Sequence, residues 1–185
     1  MSPALTRRSL LGACIALASC SQGLVGVNFF SGEYTITRQE LQELVARSFP
    51  LTRRYGALFS VSLSDPRLSL DAAANRIAVA VRVSIASVLL PQPAGGQITL
   101  SGALRYDPST RTLRLDQPNA EHIALDGVTG QDAQHLQRIG AGVAQQLLQG
   151  QALHTFRPDE LTVGLKTYEI GAITVHEDSV SVQLK

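Results

Sequence analysis

Ile77-Ala78-Val79-Ala80-Val81-Arg82-Val83-Ser84-Ile85 sets an apolar side chain at every odd position and a small or charged one between. A β-strand turns successive side chains to opposite faces, so this stretch reads as a strand with one buried face. The same period of two runs through residues 57–125. Phe59, Val61 and Leu63 alternate with serines, Ile98, Leu100, Leu104 and Tyr106 obey the rule, and Leu113 and Leu115 continue it. Turn-forming residues at Asp65-Pro66, 71–75, 91–96 and Asp107-Pro108 cut the run into antiparallel meander strands, with Ile123 and Leu125 following one further turn. Gly95-Gly96 reads as a hairpin turn.

Helical spacing flanks this β-region on both sides. Glu33-Tyr34-Thr35-Ile36 alternates as a strand, and Thr37 with Glu40 three residues on forms a capping box. Leu41, Leu44, Val45 and Phe49 follow at helical intervals until Pro50 ends them. Residues 131–149 predict a second, longer helix with Leu136, Ile139, Val143 and Leu147 on one stripe, a glutamine-rich opposite face, and Gly150 as its stop. Gly140 and Gly142 each cost about 1 kcal/mol relative to alanine inside a helix, so a close approach or a bend is expected there. Short strands fill the tail, the last pair spanning 172–175 and 180–184 around Glu177-Asp178-Ser179. The fold class is α+β, a curved antiparallel sheet with two helices, in one domain over residues 32–185.

The apolar face of such a sheet must be covered by the helices or by a ligand. The candidate lining is Val79, Val81, Val83, Ile85, Ile98, Leu100 and Leu104 from the strands, with Leu136, Ile139, Val143 and Leu147 from the long helix. A solid core shows the same stripes.

Composition removes several other classes. The chain is 44% apolar and 17% charged, with a formal charge of +1 and no tryptophan, so it offers neither a basic patch nor stacking platforms for nucleic acid. Four histidines, His122, His135, His154 and His176, stand outside any catalytic or metal motif, and His135 has no partner four residues on. No glycine-rich phosphate loop is present. No cofactor, metal or catalytic activity is expected; catalysis would require the fold to bring His122 or His154 beside a carboxylate in a cleft.

The N-terminus assigns a location. Arg7 and Arg8 precede a short apolar run that ends in Leu17-Ala18-Ser19-Cys20. The run is too short to cross about 30 Å of hydrocarbon, and its ending resembles the lipobox of bacterial lipoproteins. That resemblance implies cleavage before Cys20, acylation of its thiol, and a membrane partner reached through those acyl chains. Residues 1–20 are then a signal peptide and 21–31 an uncharged tether. Once cut before Cys20 the chain carries 14 basic and 15 acidic side chains and Cys20 as its only cysteine, so no disulfide holds it. Thr6-Arg7-Arg8-Ser9-Leu10-Leu11 resembles the twin-arginine export motif and satisfies the general export route equally well. Ser21, where an aspartate would signal inner-membrane retention, points to the outer membrane, with the domain facing the periplasm.

The lipobox, Tyr34-Thr35-Ile36-Thr37 with Glu40 leading into the first helix, and the closing hairpin over 172–184 resemble the YceB-like bacterial lipoproteins, a family of unknown function. The resemblance extends over nearly the whole chain. It implies a likeness to tubular lipid-binding (TULIP) domains, in which a strongly curved antiparallel sheet wraps a long helix and encloses an apolar channel. The function it implies is that of an envelope lipoprotein holding a lipid or another apolar ligand between sheet and helix. The alternative is a non-catalytic scaffold with a filled core, holding an envelope protein on its sheet edge or glutamine-rich helix face.

Overall fold

Long alternating segments become long strands. The computed structural model describes residues 27–28, 32–88, 90, 92–126, 130–163 and 165–185. In chain order these form β1 (Val27–Asn28), β2 (Glu33–Thr37), α1 (Arg38–Arg47), β3 (Leu51–Tyr55), β4 (Phe59–Asp71), β5 (Arg76–Ser87), β6 (Ala94–Asp107) and β7 (Thr112–Leu125). Then come α2 (Gly130–Leu148), β8 (Ala152–Thr155), a 3₁₀ turn (Pro158–Leu161), β9 (Thr162–Val163), β10 (Lys166–Thr167), β11 (Ile170–Val175) and β12 (Ser179–Leu184).

The main sheet is a six-stranded antiparallel meander, β3-β4-β5-β6-β7-β8, curled strongly into a half-barrel. A second, four-stranded sheet, β1-β2-β12-β11, joins the two ends of the described chain, and β9 pairs with β10. The inner face of the half-barrel meets both helices in one core that also takes in Tyr34, Ile36, Val180 and Val182 of the second sheet.

Three expected turns are strand instead. Asp65-Pro66 lies inside β4, where Asp65 takes φ 51° and the pair stands opposite Val81 alone, a bulge that spares proline a ladder hydrogen bond. β7 likewise runs unbroken past Asp116, with Gln117 at φ 46° and register shifts opposite Thr99/Leu100 and Ser101/Ala103. Gly95 and Gly96 belong to β6, and a Cβ on Gly96 would collide with the Ala124 carbonyl oxygen, so the glycine permits close pairing rather than a turn. An extra residue bends a strand and increases its twist, which is how strands this long curl.

Helix α1 opens with the expected capping box: the Glu40 N–H donates to Thr37 Oγ1 at 3.3 Å, and the Thr37 N–H donates to Glu40 Oε2 at 2.8 Å. Its Gln42 completes the edge of β4 beyond the reach of β3. Gln42 Nε2 donates to the Pro66 carbonyl at 2.8 Å, and its Oε1 accepts from the Leu68 N–H at 2.7 Å, as a neighbouring strand would. Asn75, at φ 52° in the β4–β5 turn, does the same to β11: its Oδ1 accepts from the Val175 N–H at 2.7 Å and its Nδ2 donates to the Ile173 carbonyl at 3.3 Å. The two sheets are therefore joined by a side-chain amide.

Candidate functional site

The inner face places the predicted lining first. Val79, Val81, Val83, Ile85, Ile98 and Leu100 are at most 1% exposed. Helix α2 seats over part of this face through Gly140, Val143, Ala144 and Leu148, while Leu136, Ile139 and Leu147 flank the contact half-buried. Small residues at positions 140 and 144 let the helix backbone descend: a Cβ added to Gly140 would lie 3.4 Å from Ile85 Cδ1 and 3.7 Å from Ile98 Cδ1. Gly142 faces open space, so only one of the two glycines serves a close approach. Polar ties hold both flanks of the helix, Tyr55 Oη donating to Gln146 Oε1 at 3.2 Å and Gln149 Nε2 to Asp116 Oδ1 at 3.0 Å. Two glutamines of the presumed free face are thus engaged within the chain. Cys20 and all of the tether except Val27 and Asn28 lie outside the described residues.

Leu104, named with the inner face, packs against the same core at its edge. It is half-buried in the wall of a groove of about 720 Å³ between the far end of the β6–β7 hairpin and β11. Tyr106, Leu161, Ile170 and Ile173 complete the apolar walls, and Arg105, Arg111 and Glu169 bring charge to them. Hydrogen bonds fix the frame. The Asp107 carboxylate accepts from Ser109 N–H at 3.1 Å, Ser109 Oγ at 2.6 Å and Thr110 Oγ1 at 2.9 Å, which shapes the turn and holds its pKa down to about 2. Arg111 follows at φ 51°, its carbonyl accepting from the Phe156 N–H at 2.8 Å. On the other wall the Tyr168 N–H donates to the Leu161 carbonyl at 2.8 Å, and Glu169 and Lys185 exchange backbone bonds of 2.9 and 2.8 Å. Burial raises the Tyr106 phenol above its ordinary pKa, with Arg111 opposing and Asp107 and Glu169 adding to the rise.

A smaller cleft of about 190 Å³ lies between α1 and β8. His154 Nε2 is buried there without a hydrogen-bond partner, 3.6 Å from Glu160 Oε2. Burial holds this imidazole below the ordinary histidine range, more strongly than nearby Glu160 and Glu40 pull it up. The other walls come from Tyr34, Ile36, Glu40, Glu43, Leu44 and Arg47, with no serine, threonine or cysteine among the described residues that line the cleft. A ring stack leads from it toward the groove: His154 meets Phe156 edge-on with centroids 4.5 Å apart, and Phe156 meets Tyr106 at 6.0 Å. Among the described residues no group of three or more histidine, cysteine or acidic side chains could hold a metal, and no helix is long and apolar enough to cross a membrane.

Sequence reasoning missed the groove, because its two walls meet across more than sixty positions of chain, between Leu104 and Ile170. A local signal existed only for one wall, in the turn residues Asp107-Pro108-Ser109. In comparisons with known proteins, the family model described as a protein of unknown function, DUF1439, matches residues 36–178. No curated protein matches the chain.

Proposed function

We propose that this chain, which belongs to the DUF1439 family of proteins of unknown function, is an acylated envelope lipoprotein that holds a lipid or another apolar molecule against its curled sheet. One observation carries the reading: in a molecule whose inner sheet face is closed, the groove at Leu104 remains open and walled by Tyr106, Leu161, Ile170 and Ile173. Its volume of about 720 Å³ lies within the roughly 300–1,000 Å³ usual for small-molecule sites. An acyl chain laid there gains about 25 cal/mol for each Å² of apolar surface removed from water, enough for useful affinity without catalytic machinery. Entry farther along Val79, Val81, Val83, Ile85, Ile98 and Leu100 requires α2 to lift off Ile85 and Ile98.

The YceB-like and TULIP resemblance supports the same reading by analogy of fold. Acyl chains on Cys20 would tether the domain to its membrane, in our reading the outer one, with the groove on the periplasmic side. More than one chain is needed for durable attachment.

The test is native mass spectrometry with lipid extraction on protein beginning at Ser21 and purified from a bacterial envelope. Phospholipid or fatty acid at fixed stoichiometry is the expected result. A clean apo mass with no uptake of added lipid would instead support the second reading, a non-catalytic scaffold for an envelope protein, which the close seating of α2 on the inner face favours.

A further inference from the structure

The groove is apolar along its walls but cationic at its rim. Arg105 pairs with Asp116 at 3.8 Å and Arg114 with Asp107 at 3.4 Å, which balances those four charges. The Arg111 guanidinium makes no ion pair or side-chain hydrogen bond among the described residues, although it lines the groove. Lys166 lies over the ring of Tyr168, another lining residue, with its Nζ 4.5 Å from the centroid. The Lys185 side chain crosses Gly171 so closely that a Cβ there would come within 2.6 Å of Lys185 Cε. Among the described residues that line the groove, Glu169 supplies the one carboxylate that stands against these three cations.

Resting on the carrier reading above, we propose that the ligand of this groove is a single-chain anionic amphiphile whose head group pairs with Arg111. The apolar walls take the chain. A planar guanidinium with unused donors matches a carboxylate or phosphate in two-pronged fashion, whereas it repels an ammonium head and gains little from a hydroxyl. Lys166 and Lys185 add long-range attraction for the same sign of charge. The Tyr106 hydroxyl, on the same wall, is a further donor to an anion.

The acylated protein in phosphatidylcholine nanodiscs, whose lipid carries no net charge, is exposed to photoreactive hexadecyl probes that differ only in head group: carboxylate, phosphate, trimethylammonium and hydroxyl. Labelled peptides are then read by mass spectrometry. One or both anionic probes should label the groove walls about ten-fold more than the hydroxyl probe, and which of them does so separates a fatty acid from a phosphate-headed lipid. Arg111→Gln should bring the anionic probes to within about two-fold of the hydroxyl probe, and Lys185→Gln should lower their labelling less. Equal labelling by all four probes leaves a carrier in place and overturns the anionic head group. Preference that persists in Arg111→Gln overturns the assignment to Arg111. Absence of groove labelling by every probe defeats the carrier reading, and this inference with it.

Discussion

Strand β6 contributes to two surfaces that end differently. At Ile98 and Leu100 it lies in the inner face with no exposed area, and at Leu104 it forms the wall of an open groove. Both segments are apolar and alternate in the same way. What differs is the partner. Over Ile98 the partner is a helix with glycine at 140 and alanine at 144, which can settle until its backbone touches side chains. Across from Leu104 the partner is β11, whose distance is set by hydrogen bonds: Asn75 holds its Ile173 and Val175 backbone groups, and Glu169 pairs with Lys185. A helix adjusts to fill space, whereas a strand fixed in a ladder does not.

The strongest challenge to this contrast is Leu100→Ala. Leucine removed from a closed face should cost about 2–5 kcal/mol, read from urea unfolding, because both transfer energy and a cavity are involved. A cost below about 1 kcal/mol, with ligand content lost from a folded protein, would relocate the site from the groove to the inner face.

Asn75→Gly sharpens the contrast from the other side. Glycine accepts φ 52° without strain, so the variant isolates the amide's two bonds to β11. A loss of about 1–3 kcal/mol is expected, since a backbone N–H and a carbonyl lose their partners. Ligand affinity should fall along with it as the Ile173 wall loosens. Unchanged affinity would mean that β11 is not what shapes the groove.

These two regions also differ in how far the sequence foretold them. The inner face was legible because its signal is local: Ile77 to Ile85 alternate without a break, and Thr37 with Glu40 announces α1 within four residues. Gly140 could be suspected of permitting a close approach, since its cost in a helix demands a reason. Asp65-Pro66 misled, because a turn and a bulge use the same residues, and only the partner strand decides between them. The amides of Gln42 and Asn75 carried no signal at all. Each bonds a strand edge, residues 66 and 68 for one and 173 and 175 for the other, and nothing in a polar side chain's identity names so distant a backbone. The groove was illegible for the same reason: Leu104 packs against the core as its alternation implies, and nothing local tells that it also lines a groove.

His154, whose ring meets Phe156 and through it Tyr106, offers a smaller effect. Burial depresses its folded-state pKa below the ordinary histidine value, with Arg157 acting in the same direction and Glu160 and Glu40 against it; Tyr34 stacks on the ring. The unfolded chain therefore takes up a proton near pH 6.5 that the folded chain refuses. Its contribution to stability is complete above that pH and declines as the pH falls below it. Urea midpoints measured from pH 7 to pH 5 should drop less for His154→Gln than for the parent. Parallel curves would show that this imidazole is not kept neutral by the fold.

The least effect on stability, and the sharpest test of the contrast, is expected of Leu104→Trp. At a closed face an indole in place of leucine forces neighbours apart at about 1–3 kcal/mol. On an open wall the ring has room, so the unfolding midpoint should move by no more than about 0.5 kcal/mol. The added ring would occupy the volume a ligand chain needs, so co-purified lipid should disappear from a protein of parental stability. Destabilisation on the scale of Leu100→Ala would show that Leu104 belongs to the core and that the groove is only its surface trace. Intact stability with intact lipid would place the ligand elsewhere. The pairing of an unchanged midpoint with an empty site can arise only if β6 passes from core to binding wall between Leu100 and Leu104.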